Sequence, residues 1–209
     1  MPPDAGDPPR PSATPILIAS GNPGKVAEFR GLLRAAGVDC RTPSDIGLEL
    51  EVAETGETLL ENAVIKARAF AAASGLPSLA DDSGLEVDAL GGAPGVRSAR
   101  WVPGSDDARV KALLEALAGL APERRGARFR AVLALAWPDG RLLTAEGRVQ
   151  GRIGQRVQGT GGFGYDPVFL VEDGGLDGRW TMAELDPALK AALSHRARAL
   201  RALLDALRP

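Results

Sequence analysis

The stretch from Ile16 to Gly37 constrains the fold more than any other part of this chain. Residues Ile16 to Ala19 form a short apolar run, partly β-branched, which predicts a buried strand. A glycine-containing turn, Ser20 to Lys25, follows it. The next segment repeats apolar residues at helical spacing and stops at Gly37, and its apolar residues are Val26, Phe29, Leu32, Leu33 and Ala36. A strand, a tight turn and a helix in this order begin an α/β unit, and the helix start aims backbone N–H groups at whatever lies above the strand end.

The rest of the chain continues as a mixture of helices and strands. Helices are predicted at Thr58–Ser74, at Ser105–Ala118 and, after a capping-box pattern at Thr181–Glu184, along the chain to about Leu207 with an interruption near Pro187. Strands are predicted at Leu76–Ala80, Leu85–Val87, Phe129–Ala136, Leu142–Val149 and Val168–Val171. Helices alternate with strands at first, and a hairpin follows. The pattern predicts an α/β fold around a long, twisted mixed sheet.

Length and composition limit the class of protein. A chain of 209 residues with 44% hydrophobic residues suits one large domain or two closely joined lobes, which we place at residues 15–209. The Pro-rich segment 1–14 has no apolar run, so we expect a disordered tail and no signal peptide. A formal net charge of −2 disfavours nucleic acid as a partner. The longest strongly apolar run, Ala131–Trp137, is too short for a membrane span. Cys40 is the single cysteine, which indicates a reducing compartment, the cytoplasm.

Two adjacent carboxylates, Asp81 and Asp82, follow a predicted strand. Successive side chains of a strand point to opposite faces, so only one of them is expected to face a site. Two unpaired carboxylates are costly in a dry environment, and a magnesium ion, which prefers oxygen ligands, would remove that cost. Glu54 could supply a second carboxylate to the ion. The alternatives are a solvated turn for the aspartates and an acidic residue near a helix start for Glu54.

The turn from Ser20 to Lys25 offers backbone donors, a hydroxyl, an amide and an ammonium, which are the donors that a polyphosphate needs. It is not a P-loop, since the pattern GxxxxGK[ST] is absent. The alternative is a simple turn in which Asn22 caps the helix. Lys66 lies on the apolar side of its predicted helix, where a lysine either extends to water or reaches an anion.

The segment from Gly159 to Pro167 is the densest in glycine, and such a segment permits close approach of a ligand. Phe163 is flanked by glycines, so a flat base could stack on its ring; the alternative is a flexible loop with this ring in the core. His195 is the single histidine, and a lone helical histidine is usually structural or solvated. Lys190 is five residues earlier, so a ligand that reaches both must lie across the helix, or the helix must break.

Taken together, these segments resemble the inosine triphosphate pyrophosphatase family, the Ham1-like or RdgB-like enzymes. The matching segments cover about residues 15 to 207 in the order of the family, and they read SGNPGKVAEF, ETGETLLENAVIKA, LADDSGLEVDALGGAPGVRSARW, GTGGFGYDPVF and LSHRARAL. The resemblance implies a sheet that forms two α/β lobes with a nucleotide cleft between them, and a homodimer. It also implies hydrolysis between the α and β phosphates of ITP, dITP and XTP.

The same resemblance implies roles for individual residues. Glu54 and Asp82 should organise Mg²⁺, Asp82 should be the general base, and Asp81 a metal-shell or supporting carboxylate. The residues expected to bind the purine nucleoside triphosphate are Ser20, Gly21, Asn22, Pro23, Gly24, Lys25, Lys66, Ser83, Phe163, Gly164, Tyr165, Asp166, Lys190, His195 and Arg196.

Two positions depart from the family pattern, and other classes of protein stay open. Arg97 stands where the family often has tyrosine, and Arg109 stands near an expected asparagine. A Maf-like pyrophosphatase that acts on pyrimidine or modified nucleotides is the alternative enzyme. A non-catalytic nucleotide-binding protein on the same scaffold is an alternative of another class.

Overall fold

The computed structural model describes residues 14–207, so the predicted tail lies outside the described residues except for Thr14. Its strands are β1 (Ile16–Ile18), β2 (Cys40–Arg41), β3 (Ser78–Val87), β4 (Gly126–Ala136), β5 (Leu142–Ile153) and β6 (Phe169–Val171). Its α-helices are α1 (Pro23–Ala35), α2 (Leu59–Ser74), α3 (Asp106–Ala116), α4 (Pro187–Leu193) and α5 (His195–Asp205). No α-helix of residues 14–207 is long and apolar enough to cross a membrane.

The strands form one six-stranded mixed sheet in the order β2-β1-β3-β4-β5-β6. Strand β1 pairs in parallel with β2 and β3, and β3, β4, β5 and β6 pair antiparallel in turn. The predicted α/β class with a mixed sheet is therefore confirmed. β4 pairs with β3 from Ser78 to Val87 and with β5 from Leu142 to Arg152.

Helices cover both faces of this sheet. Apolar residues of α1 and α5 pack on one face, where Phe29 and Leu200 meet Leu79 of β3. Helix α2 packs on the other face, where Ala63 meets Ala80 of β3. Alternation along β3 therefore sends Leu79 toward α1 and α5, and Ala80 toward α2.

Strand β3 continues through the two aspartates, where the sequence predicts two shorter strands with a break. Asp81 pairs with Leu133 of β4, and Asp82 pairs with Val132. The solvated-turn alternative is therefore wrong, since both side chains are buried. Gly84 allows the strand to continue under the following loop, because a Cβ atom there would lie 2.1 Å from the carbonyl oxygen of Gly95.

The C-terminal part also differs from its prediction. The capping-box contact at Thr181 does form, with Glu184 Oε2 accepting from the Thr181 amide at 2.8 Å, but a turn and not a helix follows. Helix α4 begins at Pro187, after its cap Asp186. The helical conformation is interrupted at Ser194, and α5 begins at the next residue. Ser194 is the cap of α5 and has an extended ψ of 150°, which ends one helix and starts the next.

Helix α5 lies directly against β5. The contact is possible because Gly147 has no side chain: a Cβ atom there would lie 2.1 Å from the carbonyl oxygen of His195 and 2.5 Å from the amide nitrogen of Ala199. The backbone of the first turn of α5 therefore packs in direct contact with the backbone of β5.

Candidate active site

A cavity of about 660 Å³ lies over the start of α1 and the middle of β3. The predicted site residues that line it are Ser20, Gly21, Asn22, Pro23, Gly24, Lys25, Glu54, Lys66, Asp82, Ser83, Phe163, Gly164, Tyr165, Asp166, His195 and Arg196. Of the predicted set, Lys190 does not line it. Five separate stretches of sequence thus meet in one place.

The first of these stretches is the turn into α1. Asn22 Oδ1 accepts from the Lys25 amide at 3.1 Å, and the Asn22 amide donates to Ser20 Oγ at 3.2 Å. Asn22 is therefore the helix cap, as the simple-turn alternative has it, and the same turn also lines the cavity. The positive end of the α1 dipole faces the cavity, which favours an anion there.

One wall carries two carboxylates with a lysine between them. Lys66 Nζ donates to Glu54 Oε1 at 2.6 Å and to the carbonyl oxygen of Asp81 at 2.8 Å, and lies 3.6 Å from Asp82 Oδ1. Asn62, which is fully buried, donates to Asp82 Oδ2 at 3.1 Å. Lys66 therefore does not extend to water but compensates two acids.

The two carboxylates have different proton affinities. Burial raises the pKa of Asp82 above its ordinary value, and the nearby Lys66 ammonium only partly offsets this. Burial acts in the same direction on Glu54, but contacts with Lys66 and Arg100 outweigh it and lower the pKa of Glu54. The more basic carboxylate is thus the one on the strand, which suits it to accept a proton.

The same wall fits a magnesium ion by its chemistry. Glu54 and Asp82 offer hard oxygen ligands, and both line the cavity. No cluster of three or more acidic, histidine or cysteine side chains within residues 14–207 forms a complete metal cage. Mg²⁺ is commonly held by one or two carboxylates together with phosphate oxygens of a substrate, so the pair is sufficient.

Asp81 lies on the opposite face of β3. Its Oδ2 atom is 2.7 Å from Lys25 Nζ, 3.3 Å from Arg196 Nε and 3.2 Å from Ser83 Oγ. Burial tends to raise the pKa of Asp81, but Lys25 and Arg196 hold it well below its usual range. Asp81 is therefore compensated by two cations on its own side of the strand, and these contacts favour the supporting role among its two predicted roles.

Arg196 is held on all three of its side-chain nitrogens. Besides Asp81, it donates to Glu28 Oε2 from Nη1 at 3.0 Å and to Ser83 Oγ from Nη2 at 2.8 Å. Glu28 also accepts from the hydroxyl of Ser194 at 2.7 Å. These contacts tie the start of α5 to α1, and they fix the guanidinium at the edge of the cavity.

The Phe163 ring and His195 line the cavity together with Arg196. The Phe163 ring packs over Gly24, where a Cβ atom would lie 2.9 Å from Phe163 Cδ1, and its centroid lies 5.1 Å from Arg196 Cζ. The ring is half-buried and lines the cavity, in contrast to the alternative that places it in the core. His195 stacks on Phe129 with 4.9 Å between the ring centroids. Its Nδ1 atom has no hydrogen-bond partner among the described residues.

Lys190 does not line the cavity but contacts Asp166, which does. Its ammonium is 2.6 Å from Asp166 Oδ2, and the same oxygen accepts from the Phe163 amide at 3.1 Å. The break at Ser194 places Lys190 and His195 on separate helices, which satisfies the condition that the sequence set for one ligand to approach both.

Sequence reasoning missed several residues at this site. They are Glu28, Asn62, Arg100 and Asp106, while Arg109 was noted only as a departure from the family pattern. Asp106 accepts from the Gly164 amide at 2.8 Å and pairs with Arg109. Acidic residues at helix starts are ordinary, so no local signal marks Asp106. Arg109 does line the cavity, whereas Arg97 is exposed and does not.

The burial of His195 gives a pH-dependent stability. Burial and the neighbouring Arg196 lower the pKa of His195 well below 6.5 in the folded protein. A lowered folded-state pKa contributes stability that is complete above pH 6.5 and is lost as pH falls through the folded value. We expect His195→Gln to lose less stability than the parent as the pH falls from 6.5 to 5, since the two proteins share every carboxylate and differ only in the imidazole.

Thermal unfolding of both proteins across that range measures this difference, and nuclear magnetic resonance follows the single histidine directly. An imidazole that titrates at 6.5 or above in the folded protein would contradict the expectation. Equal pH slopes for parent and variant would do so as well.

The chain is similar to known proteins over most of its length. The model of the Ham1 family matches residues 16–206. The chain is 51% identical to the dITP/XTP pyrophosphatase of Symbiobacterium thermophilum over 195 residues. That alignment covers 92% of this chain and 94% of the other protein. It is 46% identical to the dITP/XTP pyrophosphatase of Bacillus subtilis, with 90% and 93% covered. The solved structure of the Staphylococcus aureus Ham1 protein superposes with a TM-score of 0.79 at 39% identity, with 92% and 97% covered.

Proposed function

This chain belongs to the Ham1 family, and on that premise we propose that it hydrolyses the deaminated purine nucleotides ITP, dITP and XTP to the monophosphate and pyrophosphate. Such an enzyme keeps deaminated bases out of DNA and RNA. The names of its relatives support the substrate class. One observation carries the chemistry: a buried strand carboxylate, Asp82, shares a cavity with a second carboxylate, two lysines and a capped helix start.

The triphosphate binds, in this proposal, between the start of α1 and the wall that carries Lys66. Backbone N–H groups of the turn from Ser20 to Lys25 and the Lys25 ammonium contact phosphate oxygens. Glu54 and Asp82 would hold Mg²⁺ from the opposite wall. When bound, the ion would neutralise phosphate charge and lower the pKa of a water molecule.

Asp82 then acts as the general base. Its carboxylate takes a proton from the water that attacks the α-phosphorus, and the bond from that phosphorus to the oxygen of the β-phosphate breaks. Negative charge grows on the departing pyrophosphate, and Lys25 and Lys66 stabilise it. Asn62 holds the carboxylate of Asp82 in position through its hydrogen bond.

The base lies on the Phe163 ring, beside His195 and Arg196. Deaminated purines carry a carbonyl where adenine carries an amino group, so donors from Arg196 and His195 have an acceptor to meet. An adenine would leave those buried donors unpaired, which gives large discrimination. Guanine shares the carbonyl, so selection against it must act at its 2-amino group.

We also propose that residues 15–209 act as one domain, with two lobes around the nucleotide cleft, and that the enzyme works as a homodimer in the cytoplasm. The family resemblance supports the dimer, and exposed apolar side chains such as Val157 and Trp180 offer surface for a partner. The free Cys40 is compatible with a reducing compartment. Nucleic acids and membranes are not among the proposed partners.

Pyrophosphate release from ITP, XTP, dITP, ATP, GTP, dTTP and UTP, with magnesium and with chelator, tests the function. We expect fast release from ITP, XTP and dITP, and loss of that release with chelator. Faster release from dTTP or UTP than from ITP, XTP and dITP would indicate the pyrimidine-directed alternative. If folded protein with magnesium releases no pyrophosphate from any of them, the proposal fails.

A further inference from the structure

One carboxylate oxygen in this site connects the two ends of the proposed substrate. Asp81 Oδ2 is 2.7 Å from Lys25 Nζ, at the triphosphate end, and 3.3 Å from Arg196 Nε, at the base end. The other oxygen, Oδ1, is buried and has no hydrogen-bond partner within residues 14–207. The compensation of this carboxylate therefore depends on Oδ2, and both cations reach the same atom.

Burial makes that shared contact strong. The side chain of Asp81 is 1% exposed and that of Arg196 is 8% exposed, whereas that of Lys25, in the first turn of α1, is 16% exposed. If a buried carboxylate loses all of its cationic partners, its charge is uncompensated and the folded protein is strongly destabilised. Of the two cations, Lys25 is the more exposed and the better placed to turn toward a phosphate.

From this geometry we propose that Asp81 is a positioning residue that couples the triphosphate subsite to the base subsite. The inference rests on the proposed function and deepens it. When phosphate draws Lys25 away, Asp81 keeps Arg196 as its remaining cation, and the guanidinium is held more firmly beside Phe163. Occupancy of the phosphate end thus prepares the base end.

Coupling of this kind is reciprocal and has a measurable size. Coupling between sites commonly changes affinity about 5- to 150-fold, and each ligand changes the affinity for the other by the same factor. We expect inosine monophosphate to bind at least about 5-fold more tightly when inorganic pyrophosphate is saturating than when it is absent. Pyrophosphate should gain the same factor from inosine monophosphate.

Two substitutions separate this mechanism from a general loss of structure. Asp81→Asn removes the shared charge with little change of shape, so inosine monophosphate should bind equally with and without pyrophosphate. Lys25→Met removes the phosphate-side cation and leaves Arg196 alone with Asp81. This variant should bind pyrophosphate more weakly, yet bind inosine monophosphate without pyrophosphate as tightly as the parent does with it.

Titration calorimetry on the full chain with magnesium measures all these affinities, and thermal unfolding identifies variants that do not fold. Independent binding of the two ligands to the parent protein would overturn the coupling. So would a folded Asp81→Asn variant that keeps the parental factor, or a Lys25→Met variant with unchanged or weaker affinity for inosine monophosphate. If Asp81→Asn does not fold, Lys25→Met decides.

The proposed function is tested separately on the same preparation. If the parent releases no pyrophosphate from ITP, the enzymatic assignment fails, whatever the affinities of the two products are. If it does release pyrophosphate and the two products bind independently, the coupling alone fails.

Discussion

Asp82→Asn should lower kcat for ITP by about 10²- to 10⁴-fold, because general-base catalysis typically contributes that much and asparagine cannot take the proton. The substitution keeps the size of the side chain and its contact with Asn62. Nucleotide binding should therefore survive, with weaker dependence on magnesium because one carboxylate is lost. Steady-state kinetics together with calorimetric affinities for ITP measure both effects.

The same variant should not be less stable than the parent. Burial raises the pKa of Asp82, which means that the folded protein disfavours the charged form. Removal of that charge should leave the melting temperature unchanged or higher, an exchange of stability for activity that is common in active sites. Asp139→Asn, at an exposed position of the β4–β5 turn, is the matched control and should keep parental kcat. Turnover in Asp82→Asn equal to that of the parent would exclude Asp82 as the base.

Gly147→Ala should destabilise the fold by about 3 kcal/mol, because the added methyl group meets backbone and not a side chain that could move. The new Cβ atom would lie 2.1 Å from the carbonyl oxygen of His195. Helix α5 must then rise from β5 and carry His195 and Arg196 with it. For a chain of this length we expect a fall in melting temperature of about 6–12 °C.

The displacement should also reach the chemistry. A shift of about 1 Å in groups that position a substrate can cost about 10²-fold in rate, so kcat/KM for ITP should fall by that order. Gly31→Ala is the matched control, since Gly31 lies exposed within α1 and an added Cβ atom meets nothing within 4 Å. That change should stabilise the protein by about 0.5–1 kcal/mol. A Gly147→Ala variant with parental melting temperature and activity would show that α5 is not seated as described.

Local patterns predicted the elements whose signals are themselves local. Helix α2 spans Leu59–Ser74, where the sequence predicts a helix over Thr58–Ser74, and Thr58 and Gly75 cap its two ends. The predicted hairpin also forms, since β4 ends at Ala136 and pairs antiparallel with β5, which starts at Leu142. The predicted break in β3 was wrong. The polar residues from Asp81 to Gly84 have the composition of a turn, but the side chains that pair with the two aspartates come from α1, α2 and α5, which local sequence does not show.

Motifs identified most of the residues that line the cavity, but not the connections among them. The sequence could not assign the aspartates to faces, because the side that each one takes depends on the direction of β3 relative to α2. Asn62 and Glu28 were missed for the same reason, since their partners lie 20 and 168 positions away in the chain. Such contacts exist only once the sheet has placed helices on both of its sides.

The alternation of β3 has a consequence for how this chain can vary in length. Adjacent aspartates on one strand serve opposite faces, Asp81 toward α1 and α5 and Asp82 toward α2. Removal or addition of one residue between Ser78 and Asp82 would shift the pairing with β4 and send each side chain to the other face. The carboxylate beside Lys66 and the carboxylate beside Lys25 would exchange environments together. Substitutions can tune either acid separately, but changes of length in this segment cannot be tolerated and must be confined to the loops.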